Sequence, residues 1–186
     1  MEPNSPVTKT SIPGLLLIQR KTFPDERGFF KETVRISEME QAIGFPFHVA
    51  QVNHARSARD TLRGIHAAPW NKLVYVVRGS VQVVIVDLRE NSPAFGKHEA
   101  FTIGEENRSS IFIPKGCGNS YLVLSDDADY TYLTDEEWVP DKEIGIAWND
   151  PTLNIKWEIQ VEPLISEKDK QNPDIKTRFP SKFTNS

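Results

Sequence analysis

The sequence predicts an all-β protein, a sandwich or a barrel, on two observations. From residue 49 onward the chain is a succession of short runs rich in β-branched and aromatic residues, and turn signals such as Arg78-Gly79-Ser80 and Pro114-Lys115-Gly116 separate them. Within this region, residues 81–87 are nearly all apolar and β-branched, which is typical of a strand buried on both faces. Periodicity alone does not choose between a sandwich and a barrel.

The length of the chain predicts a single domain. At 186 residues it is long enough for one sizeable core, so we expect one domain spanning 1–186. Residues 1–13 are polar and contain prolines, and we expect them to form a loose N-terminal arm. Residues 171–186 are polar and also contain prolines, and we expect a tail that wraps the surface or frays.

The first third of the chain predicts two strands and a helix. The strands cover 14–20 and 29–34, and a turn lies at 24–28, where Pro, Asp and Gly cluster. The helix covers 37–43, with its first serine as N-cap, Glu40 at the capping-box position and a glycine at its end.

Eight further runs have the composition and length of strands. After residue 150 the chain changes character, and we expect one more strand at 154–161 and a short helix at 166–170. The eight runs are 49–54, 62–66, 72–78, 81–88, 98–103, 110–113, 120–124 and 129–134.

Composition and charge exclude several classes of function. The net charge of −4 and the absence of Lys or Arg runs argue against a nucleic-acid partner. The single cysteine, Cys117, allows no internal disulfide and no thiol cluster for zinc, and we interpret it as a buried filler. No apolar stretch has the length of a membrane span, and the N-terminus has no signal-peptide pattern, so we expect a cytoplasmic protein without membrane association.

A series of motifs then runs in order from about residue 12 to residue 169. They are Phe23-Pro-Asp-Glu-Arg-Gly-Phe-Phe-Lys-Glu32, Gln51-Val-Asn-His54, Leu62-Arg-Gly-Ile-His66, Lys72-Leu-Val74, Val86-Asp-Leu-Arg89 with Ser92-Pro93, Ile113-Pro114, Tyr132, Trp148-Asn-Asp150 and Leu164-Ile-Ser-Glu-Lys-Asp169. In this order and spacing the motifs resemble the dTDP-4-dehydrorhamnose 3,5-epimerase family, which are sugar-nucleotide epimerases. The resemblance implies a cupin jelly-roll barrel with flanking N-terminal strands and a short C-terminal helical segment, assembled as a homodimer.

The resemblance also implies a reaction. Its substrate is a nucleotide-linked 4-keto-6-deoxy sugar, which is inverted at C3, at C5 or at both carbons. The hydrogens on these carbons are acidic because the adjacent C4 carbonyl can take the charge as an enolate. Such an enzyme needs a base on one side of the sugar, an acid on the other and a positive group at O4. It needs no redox or metal cofactor.

Four residues carry over to catalytic roles. His66 resembles the general base of the family, and Asp169 resembles the carboxylate that orients this histidine. Lys72 resembles the lysine that stabilises the enolate oxygen. Tyr132 resembles the acid that returns a proton from the opposite side.

Ten residues carry over to substrate binding. Arg27 and Arg63 resemble the cations that meet the pyrophosphate, a task suited to bidentate guanidinium groups. Phe30 and Glu32 resemble parts of a nucleotide site that in this family draws on the neighbouring subunit. The other binding positions are Gln51, Asn53, Asn119, Trp138, Glu143 and Lys168.

The chain departs from the usual family pattern at three places. The family has Gly-Phe-Ala-His-Gly-Phe where residues 116–121 read Gly-Cys-Gly-Asn-Ser-Tyr, so Asn119 replaces a histidine, and asparagine hydrogen-bonds without carrying a charge. A minority branch with this variant includes enzymes for other nucleotide sugars, heptoses among them. The loop after His66 is shorter and has Ala68 in place of a glutamine, and Trp138 replaces the tyrosine that stacks on thymine. These departures leave open which nucleotide and which sugar the substrate contains.

Two other functions remain as alternatives. A non-catalytic sugar-nucleotide-binding cupin would need no acid–base pair, whereas this chain retains one. A metal-dependent cupin would need a His-x-His pair with a carboxylate and another histidine, and here the corresponding stretch is His66-Ala67-Ala68. Both alternatives keep the predicted fold.

Overall fold

A computed structural model describes residues 6–184, and over this part strands are far more abundant than helices. The helices are α1 (Ile36–Ile43), α2 (Glu167–Lys170) and α3 (Ile175–Arg178), followed by a 3-10 turn at Pro180–Lys182. The strands are β1 (Val7–Lys9), β2 (Leu16–Ile18), β3 (Thr22–Asp25), β4 (Gly28–Lys31), β5 (Gln51–Ala58), β6 (Leu62–Ala67), β7 (Lys72–Arg78), β8 (Ser80–Asp87), β9 (His98–Gly104), β10 (Ser110–Ile113), β11 (Cys117–Val123), β12 (Asp127–Thr134) and β13 (Ile144–Gly145).

The strands form two large antiparallel sheets that face each other. One has the order β1-β2-β10-β7-β12-β5, and the other has the order β13-β6-β11-β8-β9. The main hydrophobic core lies between them and takes residues from both, for example Val74 from the first sheet and Val83 from the second. The all-β prediction is confirmed, and the two sheets form the walls between which a ligand can lie.

Strand β8 is buried on both faces, as its sequence predicts. Val83 and Ile85 point into the core between the sheets, whereas Val84 and Val86 point to a second cluster on the outer side. That outer cluster is closed by Ile175 and Phe179 from the C-terminal segment. An apolar run without alternation is therefore explained by apolar packing on each side of the sheet.

The two ends of the chain are more ordered than expected. Within residues 1–13, Val7–Lys9 pairs with β2, and Ile12 is buried in the core, so a loose arm is wrong for the described part, residues 6–13. Within the predicted polar tail, α3 places Ile175 in the outer cluster, and the Asp174 side chain caps that helix. Of the two expected forms of this tail, fraying is wrong up to residue 184, because the tail packs on the outer side of the second sheet. Residues 1–5 and 185–186 lie outside the described part.

The predicted strand at 154–161 does not form. Its backbone is bound by a side chain instead of by a neighbouring strand: the carbonyl of Lys156 accepts from the Gln82 amide at 2.9 Å, and the N–H of Glu158 donates to the same side chain at 2.8 Å. The predicted helix at 166–170 is confirmed as α2, with Ser166 as its N-cap. No helix in residues 6–184 is long and apolar enough to cross a membrane.

Helix α1 exists as predicted, but its start is different. Its N-cap is Arg35, without a side-chain cap, so the predicted capping box is wrong. The Glu40 carboxylate accepts from the backbone N–H of Phe47 at 2.7 Å instead, which fixes the chain after the helix. Gly44 ends the helix in the left-handed conformation, as predicted.

Strands β3 and β4 form a hairpin separate from the two large sheets. The predicted turn at 24–28 is shorter than expected, because Pro24 and Asp25 are already paired with β4. The strand predicted for 29–34 ends at Lys31, and its aromatic residues Phe29 and Phe30 are exposed. The hairpin therefore presents apolar side chains to the solvent instead of to the core.

Candidate active site

The largest concentration of predicted site residues surrounds one cavity of about 500 Å³. Its walls come from β6 and β11 of one sheet, from β7 and β12 of the other, and from the segment around α2. The predicted residues that line it are Arg63, His66, Lys72, Asn119, Tyr132, Trp138, Glu143, Lys168 and Asp169.

His66 and Asp169 form a hydrogen-bonded pair in this cavity. His66 lies in β6, and its Nε2 is 2.5 Å from Oδ1 of Asp169, which lies in α2. Asp169 is buried, and its second oxygen accepts from the backbone N–H of Gly64 at 3.4 Å. The Ser166 hydroxyl caps α2 by accepting from the backbone N–H of Asp169 at 3.1 Å. The carboxylate is therefore fixed by a helix cap and directed at the histidine.

The surroundings of Asp169 keep it ionised. Burial acts to raise its pKa, but the hydrogen bonds from His66 and from the backbone of Gly64 outweigh burial, so the pKa lies below its ordinary value. A carboxylate that accepts from Nε2 places the proton of a neutral imidazole on that nitrogen. Nδ1 of His66 is then left with a free electron pair and can accept a proton.

Lys72 lies across the cavity, at the start of β7. It is only 6% exposed, and its Nζ is 3.7 Å from Oε1 of Glu143. Burial lowers the pKa of the Lys72 ammonium, and the Glu143 carboxylate acts against that change. Glu143 also lies 4.0 Å from Nζ of Lys168. One carboxylate thus faces two lysines, and its negative charge favours the cationic form of the buried one.

Tyr132 lies beside Lys72 on the same wall. It is in β12, paired with Val74 of β7, and its ring centroid is 6.0 Å from Nζ of Lys72. Burial, and next the Glu143 carboxylate, raise the pKa of the Tyr132 hydroxyl. The phenol is therefore protonated at neutral pH and can donate a proton, from the sheet opposite the one that carries His66.

Arg63 is held at one edge of the cavity by a serine. Its Nε donates to Oγ of Ser57 at 3.0 Å, and the Ser57 hydroxyl also shares a hydrogen bond of 3.2 Å with Tyr121. This contact uses the inner nitrogen of the guanidinium. The guanidinium also interacts with the Tyr121 hydroxyl. Because a guanidinium has five N–H donors, others remain for a contact with an anion.

A second cavity of about 390 Å³ adjoins the first and shares Lys72, Tyr132, Trp138 and Glu143 with it. It is lined further by Gln51 and Asn53, whose side chains are hydrogen-bonded at 2.6 Å. The Gln51 side chain also accepts from the backbone N–H of Trp138 at 2.8 Å. The two polar residues predicted for sugar or nucleotide contacts therefore lie next to the cavity that contains His66.

Three predicted binding residues lie away from both cavities, in or beside the β3–β4 hairpin. Arg27 is exposed and ion-paired with Asp25 at 2.6 Å. Phe30 is 66% exposed. The Glu32 carboxylate pairs with Arg20 at 2.7 Å and with Arg35 at 2.9 Å. Within one chain these residues do not reach the other site residues.

The structure adds three residues that sequence reasoning missed: Ser57, Tyr121 and Tyr130. Tyr121 and Tyr130 line the larger cavity. The Tyr130 hydroxyl donates to Oδ1 of Asn119 at 3.2 Å. One signal was present in the sequence, because Tyr130 is two residues before Tyr132 in a strand and so shares its face. Among the described residues no group of three or more His, Cys, Asp or Glu side chains has the arrangement to hold a metal ion.

Comparison with known proteins gives one family. Residues 9–177 match the family described as dTDP-4-dehydrorhamnose 3,5-epimerase. A dTDP-4-dehydrorhamnose 3,5-epimerase of Pseudomonas aeruginosa is 42% identical over 167 residues, which cover 88% of this chain and 92% of that protein.

Solved structures agree with this match. NovW, a 4-keto-6-deoxy sugar epimerase from the novobiocin biosynthetic gene cluster of Streptomyces spheroides, superposes with a TM-score of 0.91 at 30% identity, covering 98% of this chain and 94% of that one. ChmJ, a 3'-monoepimerase from Streptomyces bikiniensis in complex with dTDP-quinovose, gives a TM-score of 0.87 at 35% identity, covering 92% and 89%. The predicted jelly-roll architecture is confirmed.

Proposed function

The chain belongs to the dTDP-4-dehydrorhamnose 3,5-epimerase family, and from this premise we propose how its residues share the reaction. The protein is a sugar epimerase, and its substrate is a nucleotide-linked 4-keto-6-deoxy sugar. One observation supports the assignment of roles. His66 lies on one sheet and is hydrogen-bonded to Asp169 of α2, whereas Lys72 and Tyr132 lie on the other sheet, and all four line a single cavity. A sugar ring between the two walls would meet a base on one side and an acid on the other.

In the first step Nδ1 of His66 takes the proton from a carbon next to the C4 ketone. The electron pair of the broken C–H bond moves into the ring and onto O4, which gives an enolate. Asp169 stabilises the imidazolium that forms, because its carboxylate is already hydrogen-bonded to the other ring nitrogen. The Lys72 ammonium stabilises the charge on O4.

In the second step Tyr132 returns a proton to the same carbon from the opposite side, which inverts the centre. Its raised pKa keeps the phenol protonated at neutral pH before the step. Afterwards the phenolate recovers a proton from solvent, and His66 loses one. The reaction is balanced in protons and moves no electrons to or from a cofactor.

We place the nucleotide toward the second cavity. Trp138 borders both cavities and offers a flat aromatic face for a nucleobase, while the Arg63 guanidinium offers N–H donors for the pyrophosphate. The hairpin residues Arg27, Phe30 and Glu32 are assigned to the nucleotide site of a neighbouring subunit in a homodimer. These residues lie away from the cavities of their own chain, and Phe30 is exposed; both observations support that assignment.

Solvent exchange tests the proposed base. In heavy water, with dTDP- or GDP-linked 4-keto-6-deoxy sugars, the wild-type protein is expected to introduce deuterium at C3, at C5 or at both. In His66→Ala the exchange rate should fall by roughly 10²–10⁴. Proton NMR and mass spectrometry measure the label. The exposed His48 lies outside both cavities, and His48→Ala is the matched control that should exchange at the wild-type rate.

Two other outcomes would decide against the proposal. Exchange that persists in His66→Ala would assign the base to a different residue. A wild-type protein that binds dTDP but exchanges no keto sugar would support the non-catalytic sugar-nucleotide-binding protein.

A further inference from the structure

Two stacked tyrosines form part of the larger cavity and have no role in the steps above. Tyr121 comes from β11 and Tyr130 from β12, so the pair bridges the two sheets. Their ring centroids are 4.2 Å apart with an interplanar angle of 13°. Both side chains are buried, yet both line the cavity. The stack therefore fixes the positions of two hydroxyl groups at the wall of the active site.

The two hydroxyls contact different partners. Tyr121 is hydrogen-bonded to Ser57, which in turn accepts from Arg63. Tyr130 donates to Oδ1 of Asn119 at 3.2 Å. Tyr121 is thus connected to the side proposed for the pyrophosphate, and Tyr130 is connected to a residue beside His66, the proposed general base.

Asn119 is the immediate neighbour of His66 on the cavity wall. In the pairing of β11 with β6, Asn119 is directly opposite His66, and side chains in such positions have Cβ atoms about 4.5–5.5 Å apart. The two strands approach closely here, because a Cβ placed on Gly64 would lie 2.3 Å from Cβ of Ser120. The carboxamide of Asn119 is therefore held next to the imidazole.

Tyr130 contacts the oxygen end of this carboxamide. An amide can turn by half a rotation and exchange its acceptor oxygen for its donor nitrogen. The phenol hydroxyl donates to Oδ1, and burial raises the pKa of Tyr130, which favours the protonated donor. Because the oxygen is engaged, Nδ2 is left to donate to a ligand in the cavity.

We propose that Tyr130 is a positioning residue that acts through Asn119. With its oxygen held by Tyr130, Asn119 presents an N–H donor to an oxygen of the keto sugar, a carbonyl or a hydroxyl, beside the carbon that His66 deprotonates. The inference rests on the proposed function for the identity of the ligand. It assigns to this pair the orientation of the reacting sugar and leaves the nucleotide to other residues.

A double-mutant cycle tests the proposal. Tyr130→Phe and Asn119→Ala are each expected to lower kcat/KM for a dTDP-4-keto-6-deoxy sugar about tenfold, as the loss of one oriented hydrogen bond would. The double variant should be no worse than Asn119→Ala alone, because Tyr130 has nothing left to orient. The affinity for dTDP without a sugar should stay at the wild-type value in all three variants.

Tyr75→Phe is the matched control, since Tyr75 lies in β7 and lines neither cavity. It should leave kcat/KM unchanged. If Tyr130→Phe behaves like this control, or if the effects of Tyr130→Phe and Asn119→Ala multiply in the double variant, the proposal is overturned. A fall in dTDP affinity as large as the fall in kcat/KM would also overturn it, because it would indicate a general structural defect.

A second measurement keeps the inference separate from the proposed function. The side-chain NH₂ signals of Asn119 can be assigned by NMR from their loss in Asn119→Ala. These signals should move or broaden in Tyr130→Phe and stay in place in Tyr75→Phe, whether or not the protein turns over the sugar offered. Unchanged signals in Tyr130→Phe would overturn the inference. An inactive wild-type protein with the expected NMR change would reject the proposed function alone.

Discussion

At the scale of single residues, the most constrained group of the site is Asp169. Its backbone N–H donates to Ser166, one carboxylate oxygen contacts His66 and accepts from the Asn172 amide, and the other oxygen accepts from the backbone of Gly64. A carboxylate so held both orients the imidazole and contributes to folding. The lowered pKa of Asp169 reflects this contribution to folding, because the folded protein favours the ionised form more than the unfolded chain does.

The sign of that shift predicts how stability depends on pH. A carboxyl whose pKa is lowered by folding stabilises the protein above its unfolded pKa, about 3.9, and loses the contribution as pH falls through the folded pKa. At pH 7 the variant Asp169→Asn is therefore expected to be less stable than wild type by about 1.5–3 kcal/mol. Below about pH 4 the difference should shrink. Urea unfolding across this pH range measures it.

The neighbouring Glu167 provides the control for Asp169. It lies in the same helix, its side chain is 83% exposed, and its partner is the exposed Lys170. Glu167→Gln should change the free energy of unfolding by less than about 0.5 kcal/mol. A difference between Asp169→Asn and wild type that does not shrink below about pH 4 would contradict the argument.

At the scale of elements, the closest approach of two strands supports the site. Strands β6 and β11 meet at Gly64 and Ser120, and the Ser120 hydroxyl donates to the carbonyl of Val84 in β8 at 2.8 Å. Ser120 is therefore fixed from its other side and cannot move away. Gly64 has a φ of +125°, a conformation that residues with a Cβ rarely adopt. Both the space and the backbone conformation require glycine here.

Gly64→Ala is accordingly expected to destabilise the protein by about 2–5 kcal/mol, the sum of backbone strain and overpacking. Gly96 is a suitable control, because its φ is +78° and nothing lies within 4 Å of an added Cβ. Gly96→Ala should show the backbone strain alone, about 1–2 kcal/mol. Urea unfolding of both variants separates the two effects. Equal losses would mean that the approach of β6 to β11 imposes no steric limit.

The elements also show which features a sequence can predict. Strands β7 and β10 have the predicted bounds, and apolar residues of both pack into the core between the sheets. The segment 154–161 has a strand-like sequence but no strand beside it, and Gln82 takes its hydrogen bonds instead. The predicted extent of helix α1 is close to the observed one, but its predicted capping box is wrong, because the Glu40 carboxylate accepts from the backbone N–H of Phe47. These outcomes depend on tertiary neighbours that local patterns do not specify.

The same limit applies to the site. His66 and Lys72 were predicted from motifs within a few residues of each other, and the structure brings both to one cavity. The contact between Tyr130 and Asn119 joins β12 of one sheet to β11 of the other. It exists only because the two sheets face each other, so no spacing in the sequence indicates it.

At the scale of the whole molecule, the β3–β4 hairpin is the part whose predicted role in nucleotide binding is not explained by a single chain. Phe29 and Phe30 are 55% and 66% exposed, and the residues predicted for nucleotide binding on this hairpin reach neither cavity of their own chain. Exposed aromatic side chains on an outlying hairpin are typical of an interface. In the proposed homodimer with two-fold symmetry, a hairpin that completes the site of the other chain would complete both sites in the same way.

Mixed dimers test this arrangement, because they separate residues that act in their own chain from residues that act in the partner. Homodimers of His66→Ala lack the base, and homodimers of Phe30→Ala are expected to bind the nucleotide weakly. In a mixed dimer, the chain with Phe30→Ala keeps its own His66 and receives an intact hairpin from the other chain. Random mixing should therefore restore about a quarter of wild-type activity, since half of the dimers are mixed and each has one complete site.

Val161 provides the control, because it is also exposed but lies outside the hairpin. Val161→Ala homodimers should remain fully active. Sedimentation should give twice 21.1 kDa for each variant. If the mixture stays as inactive as its components while the dimers form, Phe30 acts within its own chain and the shared site is wrong.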